Sequence, residues 1–124
     1  MPERLVVKED TRGRLVEVFK FPDFVTGQIL LVTAKPGMTR GNHYHARKSE
    51  QYCVVKGSAK IRLRNRSTNE MQEHDVSGEA PKIVEIEPNW THNIQNTGKG
   101  EMTFLIWISE IFNPSDPDTF FEAV

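Results

Sequence analysis

Between Gly41 and Tyr52 the chain reads GNHYHARKSEQY, which sets His43 and His45 one residue apart and Glu50 five residues beyond the second histidine. A third histidine, His92, stands in PNWTHNIQN. Three imidazoles and one carboxylate make a donor set suited to a borderline divalent metal, with coordination positions left over for water or substrate. A lone histidine usually meets a hydrogen-bond partner in a core or a loop, but here three of the chain's 4 histidines share two short segments with a glutamate. That concentration favours a metal site. His74, in NEMQEHDVSGE, has no such company and is expected to be a solvated side chain in a polar loop.

Strands are the elements that can bring these groups together. Residues i and i+2 of a strand face the same way, about 6.7 Å apart, so His43 and His45 can converge inside a barrel while Tyr44 faces the opposite surface. Glu50 follows the turn ARKS at the start of the next strand, and a hairpin there carries its carboxylate back to the imidazoles. His92 follows a Pro-Asn turn, also at the head of a strand. The rest of the chain supplies further candidates: RLVEVFK, QILLVTA, EQYCVVK, AKIRLRN, KIVEIEP and MTFLIWIS are short and rich in β-branched and aromatic residues. Gly, Pro and Asn punctuate them throughout. No helical period is sustained and no repeat or low-complexity tract is present, so an all-β sandwich or barrel is expected.

The chain's 124 residues and 37% hydrophobic content fit a single domain over residues 1–124. A net charge of −1 gives no global field for nucleic acid or an anionic membrane, so neither is an expected partner. The lone Cys53 cannot form an internal disulfide, which points to a reducing compartment, and MPERLVVKED is too short in its apolar run for a signal peptide or a span. A cytoplasmic location is the resulting expectation. In KIRLRNR the alternation puts Lys60, Arg62, Arg64 and Arg66 on one face over Ile61 and Leu63, the usual form of a solvated outer face over a core. MTFLIWIS reads as a strand buried on both faces. Together with the outward parity of Cys53 and Val55, it suggests a homodimer.

As a pair, the HxH-x4-E and P-x-W-x-H segments resemble the two cupin motifs. Nearly the whole chain, through DTRGRLVEVFK, GQILLVTAKPGMTRGNHYHARKSEQYCVVKGSAKIRLRN, PNWTHNIQNTG and WISEIFNPSDPDTFFE, resembles the C-terminal cupin domain of bifunctional capsular polysaccharide enzymes of UDP-N-acetyl-L-fucosamine biosynthesis. The resemblance implies a cupin β-barrel of jelly-roll type. It also implies a zinc-dependent epimerase acting at C3, beside the ketone of a nucleotide-linked 4-keto-6-deoxy sugar, with metal ligation by His43, His45, Glu50 and His92. A more distant similarity, to the dTDP-4-dehydrorhamnose 3,5-epimerases, rests on Arg40, Gly41 and His43. Those enzymes lack the metal and use the matching histidine as base. Here His45 and Glu50 complete a ligand set, so His43 is assigned to the metal.

Such a reaction needs a proton acceptor, a proton donor and a grip on the nucleotide. Tyr52 shares the parity of Glu50 and should point inward, Lys48 lies in the turn at the mouth, and Arg40 could clamp a diphosphate through its planar fork. The chain contains no Gly-x-Gly-x-x-Gly segment. A reductase step is therefore expected to belong to a separate partner polypeptide. The competing readings are a small-molecule cupin dioxygenase and a non-catalytic sugar-nucleotide-binding cupin.

Overall fold

The apolar alternation of these runs is realised as two facing antiparallel sheets in a computed structural model that describes residues 2–21 and 26–124. The strands are β1 (Glu3–Arg4), β2 (Val7–Asp10), β3 (Gly13–Val16), β4 (Gln28–Ala34), β5 (Thr39–Tyr44) and β6 (Glu50–Lys56). They continue with β7 (Ser58–Asn65), β8 (Met71–Ser77), β9 (Lys82–Ile86), β10 (Trp90–Asn96), β11 (Met102–Ile108) and β12 (Phe120–Phe121). One sheet runs β1-β9-β6-β11-β4, the other β12-β5-β10-β7-β8, and β2-β3 forms a separate hairpin. This is the expected all-β jelly-roll. Among the described residues no helix is long and apolar enough to cross a membrane.

The core lies between the inner faces of the two sheets. From β6 come Tyr52 and Val54, from β11 Met102, Phe104, Ile106 and Ile108, and from β7 Ala59, Ile61 and Leu63, all buried and joined by Val84, Ile86 and Ile94. The outer face of β7 carries the expected basic row, held by charges on its neighbours. Lys60 and Arg62 lie near Glu73 of β8, and Arg64 and Arg66 near Glu122. β8 corrects the sequence reading of NEMQEHDVSGE as a loop. It pairs with β7 over its whole length, from Arg64 with Met71 to Ser58 with Ser77. Its polar composition arises because it is an edge strand whose outward residues answer the basic row. His74 is correspondingly half-buried on the Ile61 side and bonds Gln72 at 3.1 Å, not solvated.

On the outer face of the first sheet, the N-terminal hairpin covers Cys53. Arg14, Val16 and Val18 line a cavity of about 280 Å³ with Cys53, Val55, Gly78 and Pro81. Burial pushes the Cys53 thiol up to about 11, so it stays protonated and inert. MTFLIWIS is fully buried on its inner parity, whereas its outer residues Thr103, Leu105 and Trp107 are half-buried, Trp107 against Phe21 with ring centroids 4.8 Å apart. Ile29 and Leu31 on the edge strand β4 remain 60% and 69% exposed.

One irregularity decides the site. β10 pairs Ile94 with Arg40, Asn93 with Gly41 and His92 with His43, leaving Asn42 as an extra residue on β5. A regular strand would turn residues three apart to opposite faces; this bulge puts Arg40 and His43 on the same one. Gly41 makes it possible, with φ +96° and a backbone so close that a Cβ would stand 2.9 Å from the His92 carbonyl oxygen. Gly41→Ala is therefore expected to lower stability by about 1–3 kcal/mol, read as the shift in a denaturant midpoint. An unchanged midpoint would show that the bulge does not need glycine.

Candidate metal centre

The four candidate ligands reach one point from both sheets. His43 and His92 are registered neighbours on β5 and β10, His45 follows the end of β5, and Glu50 opens β6 in the facing sheet, registered with Ile86 and Ile108. One ligand atom from each lies within 4.8 Å of all the others. His45 Nε2 is 2.8 Å from Glu50 Oε1 and His92 Nε2 is 3.2 Å from the same oxygen. The His43 ring stands edge-on to that of His92, centroids 4.7 Å apart. His45, Glu50 and His92 are buried. His43 is half-buried and forms the side from which the cluster can be reached.

The far nitrogens of two rings are already committed. His45 Nδ1 donates to the Asp118 carbonyl at 2.7 Å and His92 Nδ1 donates to the Trp90 carbonyl at 3.0 Å. A carbonyl oxygen can only accept, so each Nδ1 carries a proton, and a ring with no second proton turns a bare Nε2 lone pair towards Glu50. Two lone pairs facing one carboxylate repel unless a positive charge lies among them. Among the described residues His92 Nε2 is buried with no hydrogen-bond partner, its short distance to Glu50 lacking the direction of a hydrogen bond. A divalent cation could satisfy all of these atoms at once. Three nitrogens and one oxygen, with the rings oriented by backbone carbonyls, are the arrangement such an ion takes.

The titration behaviour of the cluster follows from its geometry. Burial, then the neighbouring His92 and His45, push His43 down to about 4. Burial also opposes a charge on His45, but its bond to the Glu50 carboxylate and the Asp118 carbonyl outweigh this, and the net direction is up. For Glu50 burial alone would raise the pKa; the bond to His45 and the nearness of His92 bring it down to about 2. Tyr52 is buried inside the barrel, its ring edge-on to His92 at 5.9 Å and stacked on Phe104 at 5.5 Å. Burial and the Glu50 charge hold its phenol well above 10.

The remaining candidates are placed less uniformly. Arg40 spans the gap between the sheet edges, its Nε donating to the Thr33 carbonyl at 2.9 Å. Tyr44 points outward as expected, stacked on Phe120 and beneath the Arg66 guanidinium, which lies 3.8 Å from the ring centroid. Lys48 departs from the expected position at the mouth. It is 3% exposed, and its ammonium donates to the Pro117 carbonyl at 2.6 Å. The C-terminal segment that takes it up also supplies Asp118, a buried residue no sequence motif marked, 73 positions from the histidine it bonds.

A jelly-roll whose inner face carries three histidines and a glutamate defines a cupin. Within that class the chain belongs to the polysaccharide biosynthesis C-terminal domain family, whose model matches residues 8–120. Over 111 residues, 90% of the chain, it is 43% identical to the UDP-2-acetamido-2,6-beta-L-arabino-hexul-4-ose reductase of Pseudomonas aeruginosa, and it spans 29% of that protein. It is 40% identical to the capsular polysaccharide assembling protein CapF from Staphylococcus aureus, with a TM-score of 0.78, covering 97% of this chain and 34% of CapF. The 3'-monoepimerase ChmJ from Streptomyces bikiniensis shares the fold at 17% identity and a TM-score of 0.83, over 92% of this chain and 65% of ChmJ. The chain thus spans about a third of the length of the relatives it matches at 40% identity or more.

In the metal-free protein His45 is expected to take its proton above pH 6.5 and His43 only near 4, followed by NMR. Unfolded, His43 protonates near 6.5, so between those values the unfolded chain binds the extra proton and this residue makes the fold lose stability as pH falls. His45 has the opposite sign, its contribution being complete below 6.5 and lost as pH rises through its raised pKa. His43→Gln should flatten the first dependence. Two histidines titrating alike near 6.5 would mean that the rings do not share one buried cluster.

Proposed function

We propose that the chain is a zinc-dependent epimerase domain that inverts C3 beside the ketone of a nucleotide-linked 4-keto-6-deoxy sugar in polysaccharide biosynthesis. The observation that carries this reading is a three-histidine, one-glutamate cluster buried on three of its members and open at His43. Its support is the family, together with a relative whose name describes a UDP-linked hexul-4-ose, a sugar with its ketone at C4. Any reduction of the ketone would be carried out by residues outside this domain. We also read the chain as a homodimer joined over the exposed Ile29 and Leu31 of β4.

His43, His45, Glu50 and His92 would hold the zinc, which when bound supplies Lewis-acid polarisation of a carbonyl oxygen. Inversion at C3 then requires a proton to leave one face and another to arrive on the opposite face. Tyr52, which faces into the barrel with its ring edge-on to His92, is assigned to the proton transfer because it is the ionisable group beside the cluster that is not itself a candidate ligand. Arg40, anchored through Nε, keeps the ends of its fork for a diphosphate. Lys48 was the other candidate for proton transfer. Its ammonium is held by Pro117, and we assign it to anchoring the C-terminal segment instead.

About one zinc per chain is expected by elemental analysis of protein never exposed to chelator. His92→Ala should weaken affinity more than about a hundredfold, because three ligands remain. Protein that takes up no zinc, or binds iron and consumes oxygen, would replace this reading with a different cupin chemistry.

The reaction is tested by incubating the zinc-loaded protein with a UDP-linked 4-keto-6-deoxy sugar in deuterium oxide and locating exchanged carbons by NMR. Exchange at C3 is the expected result, and its absence with bound substrate would leave a binding protein. Tyr52→Phe should cut that exchange at least about tenfold with zinc content intact. Unchanged exchange would remove Tyr52 from the proton transfer.

A further inference from the structure

We propose that Asp118 is a positioning residue for the metal centre, and that through it the C-terminal segment 116–122 sets the orientation of His45 and hence the affinity of the site. The proposal rests on the reading that His43, His45, Glu50 and His92 bind a divalent metal.

His45 needs such a device because it lies past Tyr44, the last residue of β5, where its carbonyl accepts from the Asn89 amide at 2.8 Å but that bond leaves the ring free to turn. The chain turns there, through 46–49, before Glu50 begins β6. Three successive amides of that turn, on Ala46, Arg47 and Lys48, donate to the two carboxylate oxygens of Asp118 at 2.9, 3.0 and 3.0 Å. Converging backbone N–H groups form an anion-binding concavity, and here the anion is a side chain of the same molecule. The backbone of Asp118 performs a second task. Its φ of +48° lies in the left-handed region, unusual for a residue with a Cβ, and its carbonyl accepts the His45 Nδ1 proton at 2.7 Å. One 4%-exposed residue therefore holds the turn with its carboxylate and the ring with its carbonyl.

Contacts on both sides fix Asp118 in turn. Before it, Asp116 bonds Arg47 at 2.9 Å and the Pro117 carbonyl accepts from Lys48 Nζ at 2.6 Å. After it, β12 registers Phe120 with Tyr44 and Phe121 with His43, and the Glu122 amide donates to the Asn42 carbonyl at 2.9 Å. The segment thus runs alongside β5, past both histidines of the HxH motif. Free rotation of the His45 ring would cost ligand geometry, and groups that orient a metal-bound imidazole typically carry about ten- to a hundredfold in affinity.

The test compares wild type, Asp118→Ala, Asp118→Asn and the core variant Val54→Ala in zinc competition against a chromogenic chelator, with denaturant midpoints measured on the metal-free proteins. Asp118→Ala should weaken zinc affinity about ten- to a hundredfold. Asp118→Asn, which keeps the shape and one accepting oxygen, should fall between it and wild type. Val54→Ala should lose stability with zinc affinity unchanged, separating a positioning effect from general loosening. The His45 Nδ1 proton should also give a slowly exchanging ring N–H signal in wild type that broadens in Asp118→Ala. If Asp118→Ala fails to fold, Asp118→Asn carries the comparison. Wild-type affinity in the Asp118 variants overturns the proposal, whereas a wild-type protein that binds no zinc overturns the metal reading beneath it.

Discussion

The site depends on an electrostatic demand that its own side chains leave unmet. Glu50 is buried as an anion, and the two imidazoles nearest it have spent their ring protons on backbone carbonyls. What faces the carboxylate is electron density from two directions, in surroundings where water screens little. Such an arrangement is stable only around a positive charge. A proton can supply it at one nitrogen, as the raised pKa of His45 reflects, but the unpartnered His92 nitrogen calls for a larger, multivalent centre. Behind the site lies the apolar core of Phe104, Ile94 and Ile61, and the ligands occupy the end of that core nearest the β5–β6 turn.

Much of this was legible in the sequence because strands report their facing in a period of two. The buried parity of β7 and β11 follows the written alternation, β6 departs from it at Cys53, which the N-terminal hairpin covers, and His43, His45, Glu50 and His92 converge where their placement at strand starts and ends implied. What escaped was whatever broke the period or crossed the chain. The bulge at Gly41 and Asn42 adds one residue without any change in hydrophobic pattern. β8 is polar on its outer side because its partners are Lys60 and Arg62 in the neighbouring strand, a relation visible only once the sheet is assembled. Lys48 and Asp118 belong to the same category. A lysine in a turn looks solvated until the segment that buries it is brought back from the far end of the chain.

The two outer faces of the sandwich show how differently one architecture treats its surfaces. Over β7 and β8 opposite charges alternate across the strands, each pair exposed and individually worth little, about 0–1 kcal/mol. Their effect is to keep that face wet and its edge strand unattractive to other strands. Over β6 and β11 the outer face is largely apolar, and the N-terminal hairpin lies over Cys53 and Val55 while Phe21 packs on Trp107. Among the described residues the apolar stretch on β4 is a sheet edge with no partner strand, which natural sheets rarely leave so.

The extra residue on β5 lies between Arg40 and the two histidines, and its loss would spare their facing. Without Asn42 the same pairs would meet in an ordinary ladder, where residues two apart share a face, so Arg40 and His43 would still look the same way. What would disappear is the Asn42 carbonyl that receives the Glu122 amide and the Asn42 side chain that receives the Asn93 amide. A residue gained in a regular stretch of the same strand is a different event, because it turns everything on one side of it to the other surface. The bulge thus reads less as a spacer for the ligands than as a hook for the returning end of the chain.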